Sequence, residues 1–249
     1  MSDARQLAYL AALGVDVYVR RTAADAALSP PALAPTAEAP EVSPMPGAGF
    51  EAGPEAGLEW EPLRALVSGC TRCSLHQTRT QTVFGVGNPH ARWMFIGEAP
   101  GADEDRQGEP FVGRAGQLLT SMLQAIGFQR EDVYIANVLK CRPPGNRDPK
   151  PEEALQCRGY LERQIELVSP ELIVAVGRIA AQNLLATDTA LARLRGKVHA
   201  LGARGWPLVV TYHPAYLLRS PGEKRKAWQD LLFARDVHRR IVAGERVVP

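Results

Sequence analysis

The stretch WMFIGEAPG, Trp93 to Gly101, decides the fold: four apolar residues in a row run straight into a glycine, an acid and a Pro-Gly turn. A short continuous apolar run closed by turn residues is the mark of a strand buried on both faces. Three more runs have this form, Val133-Tyr134-Ile135-Ala136, Leu172 to Val176 and Leu208 to Thr211. Helical patterns lie between them. Leu118, Leu119, Met122, Leu123 and Ile126 make an apolar face, Pro151-Glu152-Glu153 opens a second helix, and Leu231, Leu232, Val237 and Ile241 suit a last one. Strands alternating with helices predict a three-layer α/β/α sandwich around a mostly parallel four-stranded sheet, with ligands at the carboxyl ends of the strands.

Outward from this core the chain changes character. Of 249 residues 45% are hydrophobic, enough for one substantial core with an appendage to spare. Residues 1–57 hold 3 Arg and no Lys against 7 acids, and the remaining 192 residues hold 26 basic against 20 acidic side chains. The near-neutral total hides that split, and the basic remainder permits a polyanionic partner. Leu7, Leu10, Leu13 and Val17 recur at helical spacing, so residues 1–22 are expected to form a short amphipathic segment. Residues 23–57, rich in Ala, Pro and Gly, are expected to be a flexible tether, and residues 58–249 the folded domain. No run reaches the roughly 18–20 apolar residues of a membrane span, and the start lacks the pattern of a secretory signal. The expected address is cytoplasmic, with no membrane partner. In a reducing compartment the four cysteines, Cys70, Cys73, Cys141 and Cys157, read as metal ligands or reactive thiols rather than disulfides.

Three polar residues follow three of the strands: Glu98, Asn137 and His213. Singly, a Glu or Asn at a strand end caps a turn, and a His before Pro is a structural residue. Their convergence on one rim points to chemistry. Four segments, GEAPG (Gly97–Gly101), GEPFVGRAG (Gly108–Gly116), NVLKCRPPGNR (Asn137–Arg147) and HPAYLLR (His213–Arg219), resemble in order the motifs of family 4 uracil-DNA glycosylases, over residues 70 to about 240. The resemblance implies the α/β/α sandwich, a [4Fe-4S] cluster, and excision of uracil from single- and double-stranded DNA as a monofunctional base-excision-repair enzyme that leaves an abasic site.

Physical roles follow for individual residues. The Asn137 carboxamide offers one acceptor and one donor, matching uracil N3–H and O4, while cytosine presents the opposite polarity. Phe111, in a Gly- and Pro-rich loop, would be the wall on which the base stacks. His213 would donate to uracil O2 as negative charge builds there, with backbone N–H groups of the Glu98-Ala99-Pro100-Gly101 loop assisting. By the resemblance, Glu104 stands near uracil C5 and excludes the thymine methyl. Other uracil glycosylase families place an Asp where this chain, like family 4, has Ala99, so water positioning falls to Glu98 or Asn146. Leu217 would wedge into the space left by a flipped nucleotide, with Arg219 on a phosphate and Arg142, Arg147 and Lys140 along the DNA path.

A CxxC pair with two later cysteines fits tetrahedral zinc or a cubane cluster, and ligand type alone leaves both open. The resemblance implies [4Fe-4S] over structural zinc on Cys70, Cys73, Cys141 and Cys157. Three alternatives carry less. A non-catalytic nucleic-acid-binding module of the same fold would not need both Asn137 and His213. A relative that traps uracil through a His after the second motif is not matched, because residues 142–151 contain no His. Gly85-Val86-Gly87-Asn88-Pro89 lacks the strand, loop and helix context of a nucleotide-binding turn. The segment Leu13-Gly14-Val15-Asp16-Val17-Tyr18-Val19-Arg20-Arg21 resembles the opening peptide of a bacterial replicative clamp-loader accessory subunit, which implies docking to a replication or repair protein through residues 1–22. The enzyme itself is expected to act as a monomer.

Overall fold

The computed structural model describes residues 53–248, so the expected amphipathic segment 1–22 and most of the expected tether lie outside the described residues. Residues 53–57 form turns, and Glu55, within the stretch expected to be a tether, is buried and paired with Arg72 at 2.8 Å.

All five residues of strand β2 (Trp93–Gly97) and all four of β3 (Tyr134–Asn137) are buried, as are those of β4 (Leu172–Val176). Both faces of the sheet must therefore be covered. One cluster gathers Met94, Ile96, Tyr134, Ala136, Ile173 and Val210 with residues of α1 (Trp60–Ser68), α4 (Pro151–Val168) and α5 (Arg178–Leu185). The other gathers the alternate residues Trp93, Phe95, Ile135, Val174 and Val209 with α3 (Arg114–Ala125) and α8 (Lys224–Val242). The side-chain alternation of an extended strand thus makes the three layers. Truncation in either cluster, for instance Phe95→Ala, would cost about 3–5 kcal/mol.

Among the described residues the sheet has six strands, the other three being β1 (Val86–Gly87), β5 (His199–Leu201) and β6 (Trp206–Thr211), in the order β1-β3-β2-β4-β6-β5. The four expected strands form its parallel centre, with β2 paired to β3 and β4, and β4 paired to β6. Two short antiparallel strands close the edges, β1 against β3 and β5 against β6. The edge β1 accounts for the glycines near residue 86: a Cβ on Gly87 would lie 1.9 Å from the Val133 carbonyl oxygen, so only glycine admits this approach. The remaining helices are α2 (Ala102–Gln107), α6 (Leu191–Leu194) and α7 (Pro214–Arg219). No helix among the described residues is long and apolar enough to cross a membrane.

Connections leave β2 toward β3 on one side and β4 toward β6 on the other. Neighbouring strands whose exits diverge leave a crevice beyond their carboxyl ends, where the ligands of such sheets bind. The parallel register sets Gly97 beside Asn137 there.

Candidate active site

The crevice is a cleft of about 580 Å³ whose lining includes Glu98, Glu104, Phe111, Asn137, Asn146 and His213. Asn137, the last residue of β3, is 2% exposed, and its side-chain oxygen is buried with no hydrogen-bond partner among the described residues. A stranded acceptor of this kind costs about 1–3 kcal/mol and marks a ligand position. The Asn137 oxygen and the Phe111 ring meet over Gly97: a Cβ there would lie 2.5 Å from each. Gly97 is required so that a reading amide and an aromatic wall can share one floor.

The loop carrying Phe111 is held under strain. Phe111 has φ 55°, a left-handed conformation unusual for a non-glycine residue. Glu104 clamps this loop, accepting from Val112 N and Gly113 N at 3.0 Å each through Oε1 and from Gly101 N at 3.1 Å through Oε2. Arg130 adds a bond to the Pro110 carbonyl at 2.8 Å. On the far side a Cβ on Gly116 would stand 1.8 Å from the Phe111 carbonyl oxygen. The carboxylate read from sequence as a methyl excluder is thus first a tie between the loops after β2 and before α3. It also consumes the Gly101 N–H, which corrects its expected role as a donor to the substrate. The Ala99 N–H has no acceptor among the described residues.

His213 follows β6 and caps α7, its Nδ1 accepting from Ala215 N at 3.1 Å. Burial, reinforced by the Arg219 charge, pushes its pKa down to about 4. The imidazole is therefore neutral at pH 7, and with Nδ1 accepting, Nε2 carries the proton. Its ring lies 5.6 Å from that of Phe111, centroid to centroid. Gly177, after β4 with φ 98°, allows this close approach, since a Cβ there would sit 2.8 Å from the His213 Cβ.

Glu98 differs from Glu104 in every respect. No donor among the described residues reaches its carboxylate. Burial, with the charge of Asp148 adding and that of Arg178 opposing, pushes its pKa up to about 7. Asp148 and Arg178 are themselves paired at 2.8 Å. Asn146, the other expected water-positioning residue, has φ 55°, and its side-chain oxygen accepts from Arg142 Nε at 2.7 Å.

Several residues expected on the DNA path are placed otherwise. Leu217 is 1% exposed, turned inward by the helical period of α7, which corrects its expected role as a wedge; Tyr216, beside it, is exposed. Arg147 lines the cleft but gives both terminal nitrogens to the buried Glu153, at 2.9 and 2.6 Å, so it anchors the loop. Lys140 is 1% exposed and donates to the Asn137 carbonyl at 2.8 Å and to Gln164 Oε1 at 2.6 Å, beneath the cleft rather than along it. Arg142 is exposed enough to reach solvent while tied to Asn146, and Arg219 is exposed on the cleft lining. Gly97, Gly177, Asp148, Arg178, Tyr212 and Tyr216 also shape or line the cleft, and sequence reading passed over them. Gly97 and Tyr216 stand inside quoted motifs without a role of their own, Asp148 and Tyr212 one residue outside them, and Gly177 and Arg178 directly after the third apolar run.

The four cysteines are free thiols that border a second cavity, with Arg79, Lys140 and Tyr160. Arg79 donates to Cys141 Sγ at 3.0 Å and the Lys140 backbone N–H to Cys157 Sγ at 3.4 Å. Burial pushes the Cys157 thiol up to about 12 and raises that of Cys141. No three His, Cys, Asp or Glu side chains among the described residues stand close enough together to hold a single metal ion.

The model of the Uracil DNA glycosylase superfamily matches residues 84–232. The chain is 53% identical over 165 residues to a type-4 uracil-DNA glycosylase of Archaeoglobus fulgidus, covering 64% of this chain and 82% of that one. It is 48% identical over 162 residues to the Thermotoga maritima enzyme of the same type, covering 64% and 83%, and 40% identical over 184 residues to that of Sulfurisphaera tokodaii, covering 71% and 84%. Residues 84–232, which the family model matches, hold all six described strands, the lining of the cleft, and Cys141 and Cys157 of the cysteine cavity. The chain belongs to the uracil-DNA glycosylase superfamily.

Proposed function

We propose that this protein hydrolyses the N-glycosidic bond of uracil in DNA, leaving an abasic site for base excision repair in the cytoplasm, at the nucleoid. The observation that carries the reading is the buried, unpartnered Asn137 Oδ1 facing Phe111 across Gly97. Uracil N3–H supplies the missing donor, and the Asn137 amide N–H answers O4. Cytosine carries a bare nitrogen at N3 and an amino group at C4, so it would leave both pairs mismatched, at about 1–3 kcal/mol each. Phe111 stacks on the flipped base, a contact of about 1–3 kcal/mol. Glu104, lining the same cleft, would face C5 and disfavour the thymine methyl.

As the C1′–N1 bond breaks, its electron pair passes to the departing uracil and the sugar becomes cationic. The His213 Nε2–H, on a neutral ring, donates to O2 without first having to lose a charge. The Ala99 N–H is placed in the loop that would share this task. Glu98, when ionised, stabilises the sugar cation, orients the water whose oxygen bonds to C1′ and accepts the proton that water sheds, while the uracil anion is protonated from solvent. Asn146 is the weaker candidate because Arg142 already occupies its oxygen. Arg219 and Arg142 would meet phosphates of single- or double-stranded substrate.

Cys70, Cys73, Cys141 and Cys157 would hold a [4Fe-4S] cluster. The residues fit it in kind: four free thiols border one cavity, with N–H donors to two of the sulfurs. Tetrahedral zinc would draw all four to about 2.3 Å of one point. When bound, the cluster supplies a covalent tie between the segment before β1 and the loop and helix after β3. Residues 1–22 would dock a replication or repair protein, and the tether would raise the local concentration of a monomeric enzyme near DNA.

The test is alkaline cleavage of a labelled oligonucleotide bearing one uracil, with thymine and cytosine controls, by wild type, Asn137→Ala and His213→Ala. Strand breaks at uracil alone, much reduced in both variants, are expected. DNA binding without alkali-labile sites, using protein with its cluster intact, would overturn the reading in favour of a binding module.

A further inference from the structure

Tyr212 and Tyr216 both line the cleft, one on each side of His213 in sequence order. Their rings stack with centroids 5.3 Å apart and planes within 16°. Tyr212 is fixed from below: the Arg195 guanidinium lies 4.5 Å from its ring centroid, and Arg195 is locked by two bonds to the buried Asp230, at 2.7 and 2.8 Å. Tyr216 is 38% exposed, one of few large apolar side chains that reach solvent. Three residues on, and so on the same side of α7, stands the exposed Arg219.

A chemistry of uracil recognition does not need this stack, since Phe111 already supplies the wall for the flipped base. A rigid aromatic ladder ending at the cleft mouth beside a cation fits a nucleotide instead: a base on the exposed ring and its phosphate on the guanidinium. We propose that Tyr216, backed by Tyr212 and Arg195, is a stacking platform for the nucleobase that flanks the uracil in the DNA strand, with Arg219 on the adjoining phosphate. This rests on the glycosylase reading and deepens it. Because every base has a stacking face, the platform would be indifferent to the flanking sequence and would act on single strands, where that base is free to stack.

The experiment measures Kd by fluorescence anisotropy for single-stranded and duplex oligonucleotides containing one uracil, with either neighbour intact or replaced by a tetrahydrofuran spacer that lacks a base. Holoenzyme is used as wild type, Tyr216→Ala, Tyr216→Phe and Tyr216→Trp. The expected result is a loss of about 5- to 150-fold for Tyr216→Ala on intact single strands, the range set by a stacked base, with Phe and Trp near wild type. Wild type should lose the same factor on one of the two spacer substrates, and Tyr216→Ala should lose nothing further on it. Unchanged affinity in Tyr216→Ala, or losses that add, would overturn the proposal. A loss confined to duplex would also overturn it, and would make Tyr216 a wedge. Excision is scored separately on the same samples: a wild type that binds but releases no uracil contradicts the glycosylase reading, while the anisotropy comparison still decides the stack.

Discussion

Asn137 stands between two buried polar regions that are built in opposite ways. Below it, Lys140 donates to the Asn137 carbonyl and to Gln164, and Gln164 donates in turn to the Phe84 carbonyl at 3.0 Å and the Tyr134 hydroxyl at 3.2 Å. Above it, neither the Asn137 side-chain oxygen nor the Glu98 carboxylate has a hydrogen-bond partner among the described residues. The lower network contains a buried lysine whose pKa is driven down to about 7 by desolvation, and it is satisfied by protein atoms at each oxygen it touches. It resembles the interior of any stable domain. The cleft leaves comparable groups unmet, which destabilises the free protein and is offset only when substrate arrives. The difference teaches where to look: Trp93 Nε1 is also unanswered but lies in the core, so function lies with the unanswered atoms that line the cleft, while the answered ones hold the floor that aims them.

The comparison breaks most visibly at His213. His213→Ala should slow single-turnover excision of uracil by about 10²–10³, while stability falls only by the loss of the α7 cap, about 0.5–2 kcal/mol. A large fall in Tm with unchanged rate would reverse the assignment of the two regions. Gln164→Leu tests the floor. It takes one of two partners from Lys140 Nζ and strands the Phe84 carbonyl and the Tyr134 hydroxyl, and should cost about 1–3 kcal/mol of stability, read by chemical denaturation, with a smaller effect on rate than His213→Ala.

Glu98 sharpens the same contrast through pH. Its folded pKa of about 7 lies above that of an unfolded glutamate, so the folded state holds its proton more tightly. Its contribution therefore favours folding as pH falls from about 7 toward the ordinary carboxylate range, and opposes folding above 7. Its catalytic form, the carboxylate, appears in the other direction. The rate should rise about tenfold per pH unit below 7 and level off above it. Glu98→Gln should flatten that rise, lower the plateau and raise Tm at pH 8. A variant with an unchanged pH profile would remove Glu98 from the reaction. The smallest effect belongs to the rim: Arg219→Ala should weaken DNA binding and lower the slope of log K against log salt by about 1, with excision at saturating DNA little altered.

Much of this arrangement was legible before any coordinates. The four central strands announce themselves as apolar runs because both their faces are covered, and strand ends carry Glu98, Asn137 and His213 into one cleft. The edge strands β1 and β5 were not legible, since two or three half-buried residues carry no periodic signal. Leu217 and Lys140 show a second limit. Residue type suggested a wedge and a phosphate contact, but the direction of a side chain on a six-residue helix or a loop depends on neighbours far away in sequence, Gln164 in the case of Lys140. Leu232 shows the same in the last helix, expected on the apolar face and found exposed. The Tyr212–Tyr216 stack was hidden for another reason, because its meaning depends on Arg195 and Asp230 from outside the motif.

The central claim is that the Asn137 oxygen waits for the N3–H of uracil. The most direct test is single-turnover release of uracil and of 3-methyluracil from otherwise identical single-stranded oligonucleotides, by wild type and Asn137→Ala. The account predicts that wild type releases 3-methyluracil at least about 10-fold more slowly, as expected for one lost buried hydrogen bond, and that the gap closes in Asn137→Ala. Equal release of both bases by wild type would contradict it.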